Sequence, residues 1–247
     1  MSKRYKLFLG DCLEVMKQIP DKKVDCIICD LPYGTTACKW DIIIPFEPLW
    51  EQYKRVIKDR GAVVLFGSEP FSSYLRMSNI KGYKYDWIWV KSKSQGFLNA
   101  KRRPLKNVEI ISVFNSRIYF PQGLIEGKFN NFRKSKISKE EDVYGTEKEF
   151  GISKFSNYPK TTLFFKGETK VLHPTQKPVA LLEYLIKTYT LENEIVLDNC
   201  MGSGSTGVAC MNLNRKFIGI EKEEKYFNIA KERIEKAEKK YNDSKHS

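Results

Sequence analysis

The stretch "VLDNCMGSGSTGVA", residues 196–209, limits the fold of this chain more than any other. It places an apolar strand, a glycine turn and a helix in succession, and Gly202, Gly204 and Gly207 have the spacing G-x-G-x-x-G. Such a turn allows the backbone to approach a ligand closely. Glu221 follows at the end of the next predicted strand, where an acid can bind ribose hydroxyls. The pattern predicts a nucleotide-binding fold, and a glycine turn that only packs a helix is the alternative.

The position of this turn in the sequence predicts a circular permutation. Only 26 residues follow Glu221, and they read as one amphipathic helix. The strands that complete the sheet must then come from the N-terminal segments "RYKLFLGD" and "VDCIICD". Such a fold would bring Asp11, Asp30, Asp198 and Glu221, each at the carboxyl end of a strand, around one crevice.

The rest of the chain alternates short strands with amphipathic helices, except in the middle. The alternation predicts an α/β fold with a mostly parallel, doubly wound sheet. Apolar residues at helix spacing, from Phe46 to Ile57, predict one of the helices. Residues 116–170 are polar and aperiodic, which predicts an inserted irregular module. Residues 1–115 and 171–247 would then be two halves of one domain.

Positive charge is concentrated in two runs of this basic chain. The net charge is +13, and residues 91–106 hold six bases without an acid while residues 128–139 hold five. Because phenylalanines interleave with these bases, the runs favour a nucleic-acid surface over a merely solvated face. The bases predicted to contact phosphates are Lys91, Lys93, Lys101, Arg102, Arg103, Lys106, Arg133, Lys134 and Lys136.

The four acids at strand ends indicate the kind of cofactor. They suit a molecule that carries an amine, a ribose and an adenine, and they suit a pyrophosphate poorly. S-adenosylmethionine has these groups together with a sulfonium. The sequence therefore predicts S-adenosylmethionine as the cofactor.

The stretch "DLPY", residues 30–33, suits methyl transfer to an exocyclic amine of a nucleobase. That nitrogen is a poor nucleophile because its lone pair is delocalised into the ring, and two acceptors that bind its hydrogens would free the lone pair. Asp30 offers a carboxylate and Leu31 a backbone carbonyl, which Pro32 orients by holding Leu31 extended. Tyr33 offers a flat face for a base swung out of the duplex. A simple turn is the alternative.

These motifs resemble those of the DNA amino-methyltransferases, in the permuted order called the β group. "DLPY" is similar to the catalytic Asp-Pro-Pro-Tyr motif, and "DNCMGSGST" is similar to the cofactor loop. "HPTQKP", residues 173–178, resembles the segment that closes over the methionine part of the cofactor, and "GDC", residues 10–12, resembles the strand end at its adenine. "GFLNAKRRPLKNVE" resembles the stretch beside the target base, and residues 116–170 stand where the family has its target-recognition region.

The resemblance implies a Rossmann-like fold and a set of site residues. The catalytic residues would be Asp30, Leu31, Pro32 and Tyr33. Asp198 would bind the methionine end and Glu221 the ribose. The whole cofactor site would comprise Asp11, Cys12, Asp30, His173, Thr175, Asp198, Gly202, Ser203, Gly204, Ser205, Thr206, Glu221 and Lys222. For His173, capping of the following helix is the alternative. Trp40 and Asp41 would close over the flipped base, with a core position for Trp40 as the alternative.

The sequence departs from the family pattern at two places. Leu31 replaces the first proline of the catalytic motif, and because its role needs only a carbonyl, we expect activity to survive. Asn199 and Cys200 replace a pattern that contains phenylalanine in the cofactor loop, and the smaller Cys200 would hold the cofactor less tightly.

The implied activity is methylation of adenine N6 in duplex DNA. Aspartate at the first motif position is typical of adenine enzymes and serine of cytosine-N4 enzymes, so methylation of cytosine N4 stays open as the alternative. Other readings are a catalytically silent nucleic-acid binder, a methylase of structured RNA and a nicotinamide-dependent oxidoreductase. A homodimer and a cognate restriction endonuclease are further expected partners.

Metal binding and membrane insertion are not expected. Cys26 and Cys29 form a C-x-x-C, but residues three apart in a strand point to opposite faces, which favours packing over zinc. No apolar stretch approaches the roughly 20 residues of a membrane span. Without a secretion signal in the sequence, we expect a cytoplasmic protein.

Overall fold

The computed structural model describes residues 3–35, 41–131, 151–168 and 176–245. Its strands are β1 Tyr5–Leu9, β2 Val24–Cys29, β3 Ile57–Gly67, β4 Tyr83–Gln95, β5 Lys106–Phe114, β6 Ile125–Asn131, β7 Gly151–Ser156, β8 Thr162–Phe165, β9 Ile195–Asp198 and β10 Lys216–Glu221. Its α-helices are α1 Cys12–Met16, α2 Phe46–Val56, α3 Phe71–Ser78, α4 Val179–Tyr189, α5 Ser205–Asn212 and α6 Glu224–Lys245. The apolar spacing predicts that Ile57 belongs to a helix, but Ile57 begins β3 instead. An apolar residue directly after α2 fits the pattern of a helix and of a strand equally well.

Eight strands form one sheet in the order β1-β10-β9-β2-β3-β5-β4-β8. Neighbouring strands run parallel, except that β5 is antiparallel to both β3 and β4. The strand before the glycine turn, β9, pairs with β2 on one side and β10 on the other, and β1 pairs with β10. N-terminal strands therefore complete the sheet around the glycine turn, and the predicted permuted order is confirmed.

Helices cover both faces of the sheet. Apolar residues of α4, α5 and α6 pack in a core on one face. Those of α1, α2 and α3 pack in a core on the other. Cys26 lies in the first core and Cys29 in the second, as expected for positions three apart in β2. The doubly wound arrangement is confirmed.

The glycine turn packs closely on the last helix. A Cβ at Gly207 would lie 2.4 Å from Cδ1 of Ile234 and 2.8 Å from a ring carbon of Phe217. Only glycine permits this approach, so α5 sits directly between α6 and β10. This packing holds the N-terminus of α5 at the carboxyl edge of the sheet.

The chain divides into two compact units, and the smaller one is Pro121–Lys160. Within its described part, β6 and β7 form an antiparallel two-stranded sheet. The strand β8 pairs with β4 in the main sheet, although the sequence places it within the aperiodic insert of residues 116–170. The unit boundaries thus lie inside the predicted insert, and its role in target recognition stays a prediction.

No helix in the described ranges is both long enough and apolar enough to cross a bilayer.

Candidate active site

A cavity of about 310 Å³ opens where the parallel strands end. Its lining draws on both ends of the chain, because β2, β9 and β10 are neighbours in the sheet. The predicted site residues in the lining are Asp11, Cys12, Asp30, Leu31, Pro32, Tyr33, Asp198, Gly202, Ser203, Ser205, Thr206, Glu221 and Lys222. Gly204 is the one described member of the predicted cofactor set that is not part of this lining. His173, Thr175 and Trp40 lie outside the described residues.

Asp198, at the end of β9, holds the glycine turn together. One carboxylate oxygen accepts a hydrogen bond from the Cys200 amide at 3.1 Å and the other from the Thr206 hydroxyl at 2.6 Å. Burial raises the pKa of Asp198 to about 7. The turn itself needs left-handed backbone at Gly202 and Gly204, whose φ angles are 51° and 78°. Asp198 therefore organises the loop, and its predicted contact with the methionine end stays a prediction.

Glu221, at the end of β10, links this turn to the next. Its carboxylate accepts hydrogen bonds from the amides of Gly202 at 2.8 Å and Glu223 at 2.9 Å. Burial raises the pKa of Glu221. A carboxylate can accept about four hydrogen bonds, so Glu221 can still accept one from a ligand hydroxyl.

Asp11, which follows β1, also lines the cavity. It caps α1 by accepting a hydrogen bond from the Leu13 amide at 3.0 Å. Lys222, which follows β10, lies 3.5 Å from the Asp11 carboxylate, and both side chains are exposed to solvent. This part of the cavity wall is therefore formed by residues that follow β1 and β10, which are adjacent strands.

Asp30 lies at the end of β2 within a cluster of ionised groups. Its Oδ1 accepts a hydrogen bond from the Tyr33 hydroxyl at 2.6 Å, and its Oδ2 lies 2.5 Å from Nζ of Lys177. Lys177 also lies 2.8 Å from Glu109 on β5, and Glu109 is in turn 2.6 Å from Lys91 on β4. The four charged side chains sum to zero, and this balance permits their burial.

The cluster sets the protonation of Asp30. Burial raises the pKa of Asp30, while the charge of Lys177 opposes that rise and the charge of Glu109 adds to it. Burial also disfavours the charged form of Glu109, but Lys177 and Lys91 outweigh it and lower the pKa of Glu109. Burial alone would lower the pKa of Lys177, but Asp30 and Glu109 together raise it. Lys177 is therefore a permanent cation beside Asp30.

Tyr33 and the residues after it are held from two sides. The Tyr33 ring stacks on Phe71 with centroids 4.9 Å apart, so one ring face is occupied while the ring still lines the cavity. The carboxylate of Asp41 accepts hydrogen bonds from the amides of Tyr33, Gly34 and Thr35 at 2.8–2.9 Å. Asp41 therefore anchors the segment after the "DLPY" motif, and its closing over a flipped base stays a prediction.

Sequence reasoning missed several residues of this site. Glu109 is an acid within the apolar strand "VEIISVF", and an isolated charge in a core strand is a usable signal. Lys177 belongs to "HPTQKP", but nothing in that motif indicates a contact with Asp30. Arg233, on α6, donates hydrogen bonds to the backbone carbonyl and hydroxyl of Ser203, and the evenly mixed charges of that helix hide it.

The predicted phosphate contacts fall into three groups. Lys93, Lys101, Arg102, Arg103 and Lys106 are exposed around the connection between β4 and β5. Arg133, Lys134 and Lys136 lie outside the described residues. Lys91 is part of the cluster at Asp30, and its ammonium also lies 5.2 Å from the Trp89 ring centroid. Lys91 is thus paired within the cluster at Asp30 rather than free on the basic surface, because its ammonium reaches Glu109, the register partner of Trp89.

The charges that line the cavity fit a cationic ligand such as S-adenosylmethionine. The carboxylates in the lining are those of Asp11, Asp30, Asp41, Asp198, Glu221 and Glu223, and the lysines are Lys177 and Lys222. Asp30 already neutralises Lys177. The excess of carboxylates suits an ammonium, a sulfonium and a ribose diol, whereas it would repel a pyrophosphate.

Comparison with known protein families gives a match over most of the chain. Residues 24–232 match the family model described as DNA methylase, N6_N4_Mtase. This range includes β2, the cluster at Asp30 and the glycine turn.

Two curated relatives are named as methyltransferases. The Type II methyltransferase M.HpaI of Haemophilus parainfluenzae is 28% identical over 93% of this chain and 74% of its own length. The Type II methyltransferase M.HinfI of Haemophilus influenzae is 27% identical over 95% of this chain and 69% of its own length.

Solved structures show the same fold. The crystal structure of an M1.HpyAVI–SAM complex superposes with a TM-score of 0.63 at 30% identity, covering 93% of this chain and 99% of that one. The cytosine-N4-specific PvuII DNA methyltransferase has a TM-score of 0.66 at 15% identity, over 98% of this chain and 93% of that one. The predicted Rossmann-like methyltransferase fold is confirmed.

Proposed function

This chain belongs to the DNA methylase family, and we propose that within it the enzyme methylates N6 of an adenine that is flipped out of duplex DNA. It is an S-adenosylmethionine-dependent DNA methyltransferase. The choice of adenine over cytosine N4 is the proposal. It is supported by the aspartate at the first position of the motif, Asp30, which is typical of the adenine enzymes that this chain resembles and which Lys177 and Tyr33 hold on the cavity wall.

Asp30 is suited to activate an exocyclic amine. The cofactor, when bound, supplies an electrophilic methyl group on its sulfonium. Each oxygen of Asp30 already accepts one hydrogen bond and keeps a second lone pair for a substrate N–H. The carbonyl of Leu31 would accept the other N–H, so that the nitrogen lone pair is no longer delocalised into the ring and the amine becomes a nucleophile. The amine must then lose a proton, and burial raises the pKa of Asp30 toward that of a general base.

The remaining residues bind and orient. Glu221 would accept the ribose hydroxyls, Asp11 would lie at the adenine and the loop held by Asp198 would face the methionine part. The Tyr33 ring would stack on the target base on the side away from Phe71. Cys12, Ser203, Ser205 and Thr206 would complete the cofactor pocket.

The partners follow from this activity. Duplex DNA is the substrate. The Type II description of the relatives supports a restriction–modification setting, in which a cognate endonuclease would cut the sites left unmethylated. A homodimer is the further partner that we propose.

Identification of the methylated nucleoside tests the proposal. Purified enzyme is incubated with duplex DNA and labelled cofactor, the DNA is digested and the labelled nucleoside is identified by mass. We expect N6-methyladenine. Label in cytidine would overturn the choice of base, and label only when RNA is supplied would overturn the substrate class. Modification-sensitive sequencing of host DNA with and without the gene gives the recognition sequence.

We expect Glu221→Ala to weaken S-adenosylmethionine binding by about 1.5–3 kcal/mol, because charged hydrogen bonds to the ribose are lost. DNA affinity without cofactor should be unchanged. Titration calorimetry measures both, and Glu224→Ala, on the first turn of α6, is the matched control. Unchanged cofactor affinity in Glu221→Ala would exclude the ribose role.

Affinity for DNA should depend strongly on salt. Neutralising Lys101, Arg102 and Arg103 to glutamine should lower affinity, because each lost phosphate contact reduces the slope of log affinity against log salt by about 0.9. Fluorescence anisotropy over a salt series measures the slope.

The control for this experiment removes the same charge elsewhere. Lys236, Lys239 and Lys240 are exposed on α6. Their neutralisation should leave the slope nearly unchanged. If both triple variants had the wild-type slope, the phosphate contacts would lie elsewhere on the chain.

A further inference from the structure

A two-stranded arm, formed by the end of β4 and the start of β5, carries an apolar tip. Every residue from 92 to 108 is exposed except Asn99, which is half-buried. At the end of the arm, Phe97 is 81% exposed and Leu98 is 100% exposed. Two adjacent large apolar side chains in water contribute nothing to the core, and such a patch indicates a binding role.

The tip has a defined shape. Gly96 turns the chain with a φ of 87°, and nothing lies within 4 Å of a Cβ built there. Backbone hydrogen bonds close the turn, from the Asn99 amide to the Gly96 carbonyl at 2.9 Å and from the Ala100 amide to the Phe97 carbonyl at 3.0 Å. Because its backbone is tied, the tip can present Phe97 and Leu98 with little loss of conformational entropy on binding.

The arm points to the side of the sheet where the cavity opens. β4 runs in the same direction as β2, since β5 is antiparallel to both β4 and β3 while β3 is parallel to β2. The arm therefore extends beyond the carboxyl edge. Its root is held by the ion pair between Lys91 and Glu109, which connects to Asp30 through Lys177. Beyond the Val90–Val108 pair the register is irregular, and the two strands pair again at Gln95 and Lys106, so the arm continues as a paired ribbon past this ion pair.

The charge of the arm fits DNA. Residues 92–108 contain five bases and no acid. The bases are Lys93, Lys101, Arg102, Arg103 and Lys106. Phosphates can therefore approach the arm from both sides of its tip while the two apolar side chains project between them.

We propose that Phe97 and Leu98 form a wedge that enters the base stack of duplex DNA and fills the space left by the flipped target base. The inference rests on the proposed function, since it requires a base to leave the helix. Apolar side chains inserted between base steps are a known device of proteins that deform DNA, and here they would replace the stacking contacts that the flipped base gives up. The wedge acts on the duplex, whereas Asp30 acts on the extruded base.

Fluorescence of 2-aminopurine tests the wedge. A duplex with the recognition sequence found by sequencing carries 2-aminopurine in place of the methylated adenine, and pyrrolocytosine replaces it if the product is N4-methylcytosine. Wild-type enzyme at saturation should raise the fluorescence. In Phe97→Ala/Leu98→Ala, the rise should fall at least threefold and the methylation rate about 10- to 100-fold, because unstacking costs a few kcal/mol that the variant no longer offsets. Phe164→Ala, which alters a 75% exposed phenylalanine on β8, should behave as wild type.

A mispaired target separates the wedge from a simple surface contact. A mismatch lowers the cost of extrusion of the target base. A mispaired target should therefore raise the methylation rate of the double variant at least tenfold, but it should not raise the rate of Asp30→Ala. A double variant with wild-type fluorescence and rate, or one that a mismatch does not rescue, overturns the wedge. If wild-type enzyme methylates no DNA, the proposed function fails instead.

Discussion

In Asp30→Ala, methyl transfer to DNA is expected to fall by at least about 10³-fold, because the variant loses both the acceptor for the target amine and the group that takes up its proton. Cofactor affinity should stay within about tenfold of wild type, since Asp30 faces the substrate amine more than the cofactor. Single-turnover transfer of labelled methyl groups measures the first quantity and calorimetry the second.

Asp30→Asn is the matched control for charge. It keeps the size of the side chain and one acceptor oxygen, but it cannot take up a proton as a carboxylate does. We expect a rate between those of wild type and Asp30→Ala. An alanine variant with more than about a tenth of wild-type turnover would remove Asp30 from the mechanism, because general acid–base groups contribute about 10²-fold or more.

Lys177→Met should produce the second large effect, on stability and on pH dependence together. Lys177 is 7% exposed and bridges two carboxylates, Asp30 and Glu109. Removal of one partner of a buried ion pair leaves uncompensated charge, so we expect the free energy of unfolding to fall by about 3–5 kcal/mol. Urea denaturation at constant pH measures this loss.

The pH profile of turnover distinguishes a role in catalysis from one in stability alone. Asp30 must be ionised to accept a hydrogen bond from the amine, so activity is lost as the pH falls through its pKa. The charge of Lys177 lowers that pKa and the charge of Glu109 raises it. The acid limb should therefore move to higher pH in Lys177→Met and to lower pH in Glu109→Gln. Tyr33 and Asp198 also act on Asp30 and are unchanged in both variants.

The double variant Lys177→Met/Glu109→Gln completes the test. It removes the charge of Glu109, which repels the Asp30 carboxylate once Lys177 no longer lies between them, so it should regain part of the lost stability. Equal stability in the single and double variants, together with an acid limb that does not move, would show that the cluster is not coupled to Asp30.

Much of the fold could be predicted from local patterns in the sequence. The segments ending at Asp30 and Asp198 could be recognised as strands because their residues are apolar with the one exception of Asp25, and a near-continuous apolar run is typical of strands buried on both faces. The permuted strand order also followed from the sequence, since the glycine turn precedes only one further strand and one helix. Other details needed the structure: β8 joins the main sheet although its sequence lies in an aperiodic region, and β-pairing is determined by distant partners rather than by local sequence.

The candidate active site, too, could be predicted from the sequence only in part. The sequence by itself determined the carboxylates at the strand ends, because the carboxyl ends of parallel strands must meet at one edge of the sheet. Only the tertiary structure decided what surrounds Asp30, since Glu109 is 79 positions and Lys177 147 positions away along the chain. It also moved Lys91 from the basic surface into the cluster and turned Asp41 back onto the segment after Tyr33. The long side chains of Lys91 and Lys177 pair with carboxylates that only folding brings within reach. Which carboxylates these are depends on burial and strand register, which no local sequence pattern encodes.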